Sequence, residues 1–276
     1  MVHYGAKLKL SPDVDLDSIA RGTPGLTGAD LYHLLNSASL RASTLNKPAV
    51  ELADLEYAKD KILMGAERTS AVNSQEIRER ISYYESGKSL IALLTPDADP
   101  IHKVTIIQRG TSLGKTTQQR QSNEDRVSNT YREYIAKLDV LVAGRVAEEM
   151  IYGKDGITTT ATQDLQTATR VARQMIMAYG YSDKAGLVSH TRTDFSSEAS
   201  AATKSEIDHE VQHLLQQSYQ RVTQQLEKNL PLLKKVATIL LEHEVLDGQQ
   251  LKTIVDGGEL PPPLADEKKN QNKTSE

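Results

Sequence analysis

The chain has 276 residues, which allows one large domain or two ordinary ones. Its net charge of −4 offers no basic field for nucleic acid, and its lack of cysteine excludes disulfides and thiolate metal sites. No run of about 18 apolar residues is present, so we expect a soluble chain without a membrane-spanning segment.

The first predicted elements form a small helical module. Residues 27–30 (TGAD) have the pattern of a helix N-cap followed by an acid three positions later. Apolar residues continue at helical spacing from Leu31 to Ala42. A second helix is predicted from Glu51 to Met64, where Gly65 ends it. The polar residues 65–75 are typical of a linker.

Helical spacing dominates the rest of the chain. A helix is predicted over residues 75–94, and Pro96 and Pro100 follow it. The best strand candidate is 103–107, with 116–119 as its partner. Further helices are predicted over residues 129–152, 162–179, 203–228, 231–243 and 247–255. We therefore expect a mainly α fold with a small β-sheet.

The helix predicted over residues 75–94 places a charge on its apolar stripe. At 100° per residue from Ile77, both Tyr84 and Lys88 fall on the inward side, and Glu85 lies at its edge. A buried ammonium without a partner is very costly, so Lys88 should have an acidic partner.

Asp164 is the candidate for that partner. A helical count from Asp164 puts it on the same face as Ala168, Val171 and Met175. One interpretation is an acid in the first helical turn that favours the helix dipole. The other is a carboxylate that points at residues 84–88.

Six segments along the chain match one known family in order: residues 19–25 (IARGTPG), 28–31 (GADL), 59–68 (KDKILMGAER), 144–149 (GRVAEE), 151–153 (IYG) and 163–169 (QDLQTAT). Through them the chain resembles FtsH-type ATP-dependent metalloproteases, most closely their mitochondrial i-AAA branch. The resemblance implies the end of an AAA+ module with its helical lid over 1–70, and a peptidase-like domain over 75–257. Composition predicts a disordered tail over 258–276.

In that family, zinc is held by two histidines of one helix and an aspartate of another. By position these ligands correspond to Tyr84, Lys88 and Asp164, with Glu85 as the general base. A cationic lysine repels a metal ion, and a neutral tyrosine is a poor ligand. We therefore expect no bound metal, an idle Glu85, and a Lys88 ammonium that stands where the metal charge stood.

A second segment matches the H-E-x-x-H zinc motif outright. It contains His209 and His213, but both fall on the face opposite the apolar residues of their predicted helix. We expect both imidazoles to face solvent, where they form at most an adventitious metal pair.

The resemblance also implies roles for two other segments, and a third has a pattern close to a P-loop. Gly28 and Ala29 match the lid residues that approach adenine in AAA+ proteins. The strand Val104, Thr105, Ile106 and Ile107 matches the edge strand that pairs with substrate, although a plain structural hairpin is an equal alternative. Residues 110–116 resemble a P-loop but have three residues, not four, between the glycines, so we expect no ATP hydrolysis by this chain alone.

Three hypotheses about function remain open. The first is a proteolytically inactive subunit with a structural or regulatory role, which joins AAA protease subunits as a homo- or hetero-oligomer and binds unfolded polypeptide. The second is an active zinc metallopeptidase of mitochondrial protein quality control. The third is a truncated product with little function, because Met1 falls inside the expected AAA+ module. Zinc, ATP, a hexameric ring and a mitochondrial, inner-membrane setting come from the resemblance only.

Overall fold

The computed structural model describes residues 1–6, 8–12, 14–23, 25–65, 74–108, 113–118, 128–190 and 200–261. The described part of the chain divides into two compact units. A smaller unit holds the elements up to residue 64, and a larger one holds all elements from residue 75 onward. Most of the predicted linker (66–73) and of the predicted tail (262–276) lies outside the described residues.

The described residues of the smaller unit form four helices: α1 (Val2–Gly5), α2 (Leu16–Arg21), α3 (Gly28–Thr44) and α4 (Leu52–Met64). The predicted N-cap is present, because the Thr27 side chain accepts the backbone N–H of Asp30 while the Asp30 carboxylate accepts the N–H of Thr27. The inward faces of α3 and α4 form a common core around Leu34, Leu35 and Leu55.

In the part of the larger unit that the structure describes, there are six helices and a sheet. The helices are α5 (Gln75–Leu94), α6 (Tyr131–Tyr152), α7 (Thr162–Met177), α8 (Ala201–Lys228), α9 (Leu230–His243) and α10 (Gly248–Val255). Short 3₁₀ turns at Lys154–Gly156 and Thr159–Ala161 connect α6 to α7. The helices predicted from periodicity are confirmed to within two residues at each end.

Two apolar clusters form the interior of the larger unit. The first apolar cluster joins α5, the sheet, α9 and α10 to parts of α6 and α8, with Leu90, Ile91 and Leu226 at full burial. The second apolar cluster joins α7 to α6 and α8 through residues such as Met175 and Val211. Helices α5 and α7 therefore belong to different clusters, although α6 and α8 contribute to both.

The strand order of the sheet differs from the prediction for residues 104–107. Its strands are β1 (Ile101–Thr105), β2 (Lys115–Gln118) and β3 (Val245–Asp247), in the order β2-β1-β3 with antiparallel pairing throughout. The strand predicted as an edge is therefore the central strand, and it ends at Thr105, before Ile106 and Ile107. The prediction was wrong because β3, only three residues long, directly follows α9 and carries too little pattern to be recognised.

The predicted fold class, mainly α with a small sheet, is confirmed. Among the described residues, no helix combines the length and the apolar character needed to cross a membrane.

Candidate functional site

The middle of α5 is buried on all sides, and this fixes the position of residues 84–88. Tyr84 and Glu85 are buried, and the Lys88 side chain is only 11% exposed. On the α6 side, a Cβ at Gly144 would lie 2.5 Å from Cζ of Tyr84, so only glycine leaves room for the tyrosine ring. Gly87 likewise lies against Ala147 of α6. Helices α5 and α6 thus pack at close range, and Tyr84 fills the space between them.

Asp164 lies in the first turn of α7 and points at α5. Its Oδ2 accepts a hydrogen bond from the Tyr84 hydroxyl at 2.6 Å and lies 2.8 Å from Lys88 Nζ. The carboxylate is 20% exposed, and the two donors meet on the same oxygen. Asp164 is therefore both an acid near a helix N-terminus and the partner that Lys88 needs.

Glu85 lies on the other side of Lys88. Its Oε2 accepts a hydrogen bond from the Thr116 hydroxyl of β2 at 2.7 Å and lies 3.7 Å from Lys88 Nζ. Burial raises the pKa of the Glu85 carboxyl, and the Lys88 charge and the Thr116 hydrogen bond offset this only in part. The ammonium thus lies between two carboxylates, the nearer of which belongs to α7.

The protonation of the two donors follows from their surroundings. Burial opposes the charge of Lys88, but Glu85 and Asp164 outweigh it and raise the pKa of the ammonium. Burial, reinforced by the Asp164 carboxylate, raises the pKa of the Tyr84 phenol. At neutral pH Lys88 is cationic and Tyr84 is neutral, so neither offers an anionic donor.

This donor set does not fit zinc. A zinc ligand needs a free lone pair, as in neutral imidazole or a carboxylate. A protonated lysine has none, and it brings a positive charge to within 2.8 Å of Asp164 Oδ2, where it would repel a metal ion bound to that carboxylate. The Tyr84 hydroxyl donates to that same oxygen. Asp164 and Glu85 are the only carboxyl side chains among the predicted site residues, and each already accepts a hydrogen bond from a donor of the protein.

Sequence reasoning missed three neighbours of this cluster. Thr116 was predicted only as a strand residue, yet it anchors Glu85. Gly144 and Glu148 lie one helical turn apart on α6, and the field of Glu148 contributes to the raised pKa of Tyr84. The sequence signal for Gly144 and Glu148 was their place in the segment 144–149, whereas nothing local in the sequence pairs Thr116 with Glu85.

The second H-E-x-x-H segment has different surroundings. His209 and His213 are both exposed on α8, as predicted, while Val211 between them is buried. Glu210 is held by Lys184 at 2.8 Å and by the Ser182 hydroxyl at 2.9 Å. The two imidazoles share a solvent-facing surface, and the glutamate of the motif is bound elsewhere.

The lid residues lie at the start of a helix. Gly28 is the first residue of α3, and Ala29 follows it. A Cβ at Gly28 would lie 3.9 Å from the Tyr4 hydroxyl. The nucleotide-facing role of Gly28 and Ala29 stays a prediction from the resemblance.

Two family models match the sequence. One is described as peptidase family M41 and covers residues 71–254, and the other is described as the AAA+ lid domain and covers residues 13–57.

Within the aligned region, about two fifths of the residues are identical between this chain and similar proteins. "ATP-dependent zinc metalloprotease FtsH 4" of Sorangium cellulosum is 42% identical over an alignment of 267 residues that covers 92% of this chain and 41% of that protein. The "ATP-dependent zinc metalloprotease YME1 homolog" of Schizosaccharomyces pombe is 42% identical over 258 residues, or 93% of this chain and 36% of that protein. "ATP-dependent zinc metalloprotease YME1L1" of Mus musculus is 39% identical over 257 residues, with 93% and 35% covered. The chain thus spans about two fifths of the length of the curated relatives it matches.

Proposed function

The chain belongs to peptidase family M41, and on that premise we propose that it is a proteolytically inactive peptidase domain with a structural or regulatory role within or beside an AAA protease assembly. The observation that carries this proposal is the contact of Lys88 Nζ with Asp164 Oδ2 at 2.8 Å. The Lys88 ammonium and the Tyr84 hydroxyl both contact Asp164 Oδ2, so a metal ion at that carboxylate would meet a like charge. Without a bound metal there is no metal-bound water for Glu85 to deprotonate.

The proposed partners follow from family membership and from the lid. Residues 13–57 match the AAA+ lid domain. We propose that the chain associates with AAA protease subunits, with copies of itself or with related chains, in a ring such as the family's hexamer. A mitochondrial, inner-membrane location is proposed on the resemblance to the i-AAA branch alone.

Binding of unfolded polypeptide is the second part of the proposal. Strand β2 lies at one edge of the sheet, and its Thr116 side chain contacts Glu85 of α5. An extended polypeptide that adds to β2 by main-chain hydrogen bonds would run directly past the candidate site. In this proposal the domain holds an extended segment but does not cleave it.

The test combines metal content with proteolysis. The chain is purified without a histidine tag, exposed to excess zinc, dialysed, and analysed for zinc and for cleavage of labelled casein with and without a chelator. The His209→Gln/His213→Gln variant is the matched control, because it removes the exposed imidazole pair but leaves residues 84–88 unchanged. The proposal expects no tightly held zinc in this variant, and no chelator-sensitive cleavage of casein by the variant or by the unchanged chain. One equivalent of zinc in the variant together with chelator-sensitive cleavage contradicts the proposal.

Assembly needs a separate measurement. Light scattering gives the mass of the chain alone and after mixing with a full-length FtsH-type protease. Species larger than one chain in the first sample, or a complex of the two proteins in the second, support the proposed association. A single unbound chain in both samples contradicts it.

The second candidate is an active ATP-dependent zinc metallopeptidase subunit. It is favoured by the names of the relatives, each of which is an ATP-dependent zinc metalloprotease. It requires a ligand set other than Tyr84, Lys88 and Asp164, and the casein measurement decides between the two candidates.

A further inference from the structure

Helices α5 and α7 are joined by polar contacts, and within the described residues they have no apolar cluster in common. Helix α5 packs in the first apolar cluster and α7 in the second. The polar contacts between them converge on Asp164, which receives Tyr84 and Lys88 from α5. The start of α7 is therefore held against α5 by charge and hydrogen bonding.

We propose that the Lys88 ammonium takes the structural place of a divalent ion: it is the cation that holds α5 against α7. The larger unit is therefore stable without bound metal. This inference concerns the stability of the fold and does not depend on whether the chain cleaves polypeptide. In this proposal the structural cation is a side chain of the protein, Lys88.

The arrangement of charge supports this role. Two carboxylates, Glu85 and Asp164, face the same small volume from α5 and α7. Without a cation between them they would repel each other in a poorly solvated site. Lys88 Nζ lies 2.8 Å from an oxygen of Asp164 and 3.7 Å from an oxygen of Glu85, so one ammonium reaches both.

Burial makes this pair different from the ion pairs on the surface. The side chains of Glu85, Lys88 and Asp164 are 3%, 11% and 20% exposed. Removal of one partner from such a pair leaves the other charge buried and uncompensated, which is strongly destabilising. The contact between Lys184 and Glu210 has the same 2.8 Å distance, but Lys184 is 64% exposed, and pairs of that kind contribute little.

Thermal unfolding of the untagged chain tests the proposal. The melting temperature of the unchanged protein should be the same, within about 1 °C, in chelator and in added zinc, because no metal takes part in folding. Lys88→Met should lower it by about 5 to 10 °C. Lys184→Met is the matched control, with the same substitution at the same ion-pair distance, and should lower it by less than about 2 °C.

Two further variants locate the effect. Asp164→Asn should also lower the melting temperature, and the double variant Lys88→Met/Asp164→Asn should lose less than the sum of the single changes, because both remove the same contact. If Lys88→Met does not fold, Asp164→Asn and Lys88→Arg, which keeps the cation, provide the comparison. Amide hydrogen exchange at the start of α7 should accelerate in Asp164→Asn and remain unchanged by chelator in the unaltered chain.

Three results would overturn the proposal. These are a melting temperature that falls on chelation, a Lys88→Met variant as stable as Lys184→Met, and strict additivity of the two single changes. The proposed function fails on different measurements. Chelator-sensitive cleavage of casein with a chelator-insensitive melting temperature would reject inactivity and leave the structural role of Lys88 intact.

Discussion

Residues 84–88 and 209–213 lie on two helices of the same unit and differ in both properties that a metal site needs. The first segment is buried and faces a carboxylate from another helix, but its ligand positions hold Tyr84 and Lys88. The second has both histidines, but they are exposed, and the glutamate between them is bound to Lys184. A metal site needs both a buried position and side chains that can bind the metal. In this molecule α5 has the buried position and α8 has the histidines.

The largest expected effect comes from giving the buried segment its missing donors. The variant Tyr84→His/Lys88→His presents two imidazoles at i and i+4 beside Asp164, which makes a three-ligand site. We expect zinc content to rise from none tightly held to about one equivalent per chain, measured by elemental analysis after dialysis.

The exposed pair must be removed in the same background. Adding His209→Gln/His213→Gln should leave that equivalent of zinc in place, because the exposed imidazoles lack a third ligand and a shielded cleft. If the restored segment takes up no zinc, Asp164 is not its third ligand or α5 and α7 have separated.

The buried segment, unlike the exposed one, is packed closely against a neighbouring helix. Gly144→Ala places a methyl group 2.5 to 2.7 Å from ring atoms of Tyr84, which is held by its hydrogen bond to Asp164. We expect the free energy of unfolding to fall by about 1–3 kcal/mol, measured by urea denaturation. With Tyr84→Ala present, the same change should cost much less, since the methyl group then has space. An equal cost in both backgrounds would mean that Tyr84 does not fill this gap.

The hydrogen bond of Tyr84 can be removed without changing its ring. Tyr84→Phe deletes the hydroxyl that donates to Asp164 at 2.6 Å. We expect a loss of about 1–2 kcal/mol, at the lower end for a bond to a charged group because Asp164 is partly exposed. On α8, His213→Gln should change the free energy of unfolding by no more than about 0.5 kcal/mol. Equal effects at the two positions would remove the contrast between the segments.

Substitution of Glu85 should have a smaller effect, and it should stabilise the fold at higher pH, whereas Gly144→Ala and Tyr84→Phe destabilise it. Burial raises the pKa of its carboxyl, so the folded state holds the proton more tightly than the unfolded state does. Its contribution to stability is therefore greatest below the ordinary pKa of a glutamate, and it is lost as the pH rises from that value through the raised pKa of the folded state. Glu85→Gln removes this loss and keeps an oxygen for the Thr116 hydroxyl.

The variant should gain stability relative to the unchanged chain as the pH rises from about 4 to about 8, measured by thermal unfolding at each pH. A constant difference across that range would show that Glu85 does not titrate as a buried carboxyl.

Much of the helical structure follows from local sequence. Helix α5 begins and ends where it was predicted, because Ser74 caps its first turn and Pro96 follows its end. The pairing of Lys88 with an acid could be expected because a lysine on an apolar stripe requires compensation. Those inferences depend on periodicity and on the cost of a buried charge, both of which a single sequence carries.

The rest depends on contacts between distant parts of the chain. Strand β3 is three residues long and is recognisable only through its pairing with β1, so the central strand was predicted as an edge. The contact of Thr116 with Glu85 and the fit of Tyr84 over Gly144 join residues 31 and 60 positions apart. No local pattern indicates such contacts.

A crystal soaked in zinc and measured at the zinc absorption edge tests the central claim most directly. We expect no anomalous peak within bonding distance of Asp164, and Lys88 Nζ should remain beside its Oδ2, even if weak peaks occur near His209 and His213. A peak about 2.0–2.2 Å from an Asp164 oxygen, with Lys88 displaced, would contradict the claim that the lysine excludes the metal.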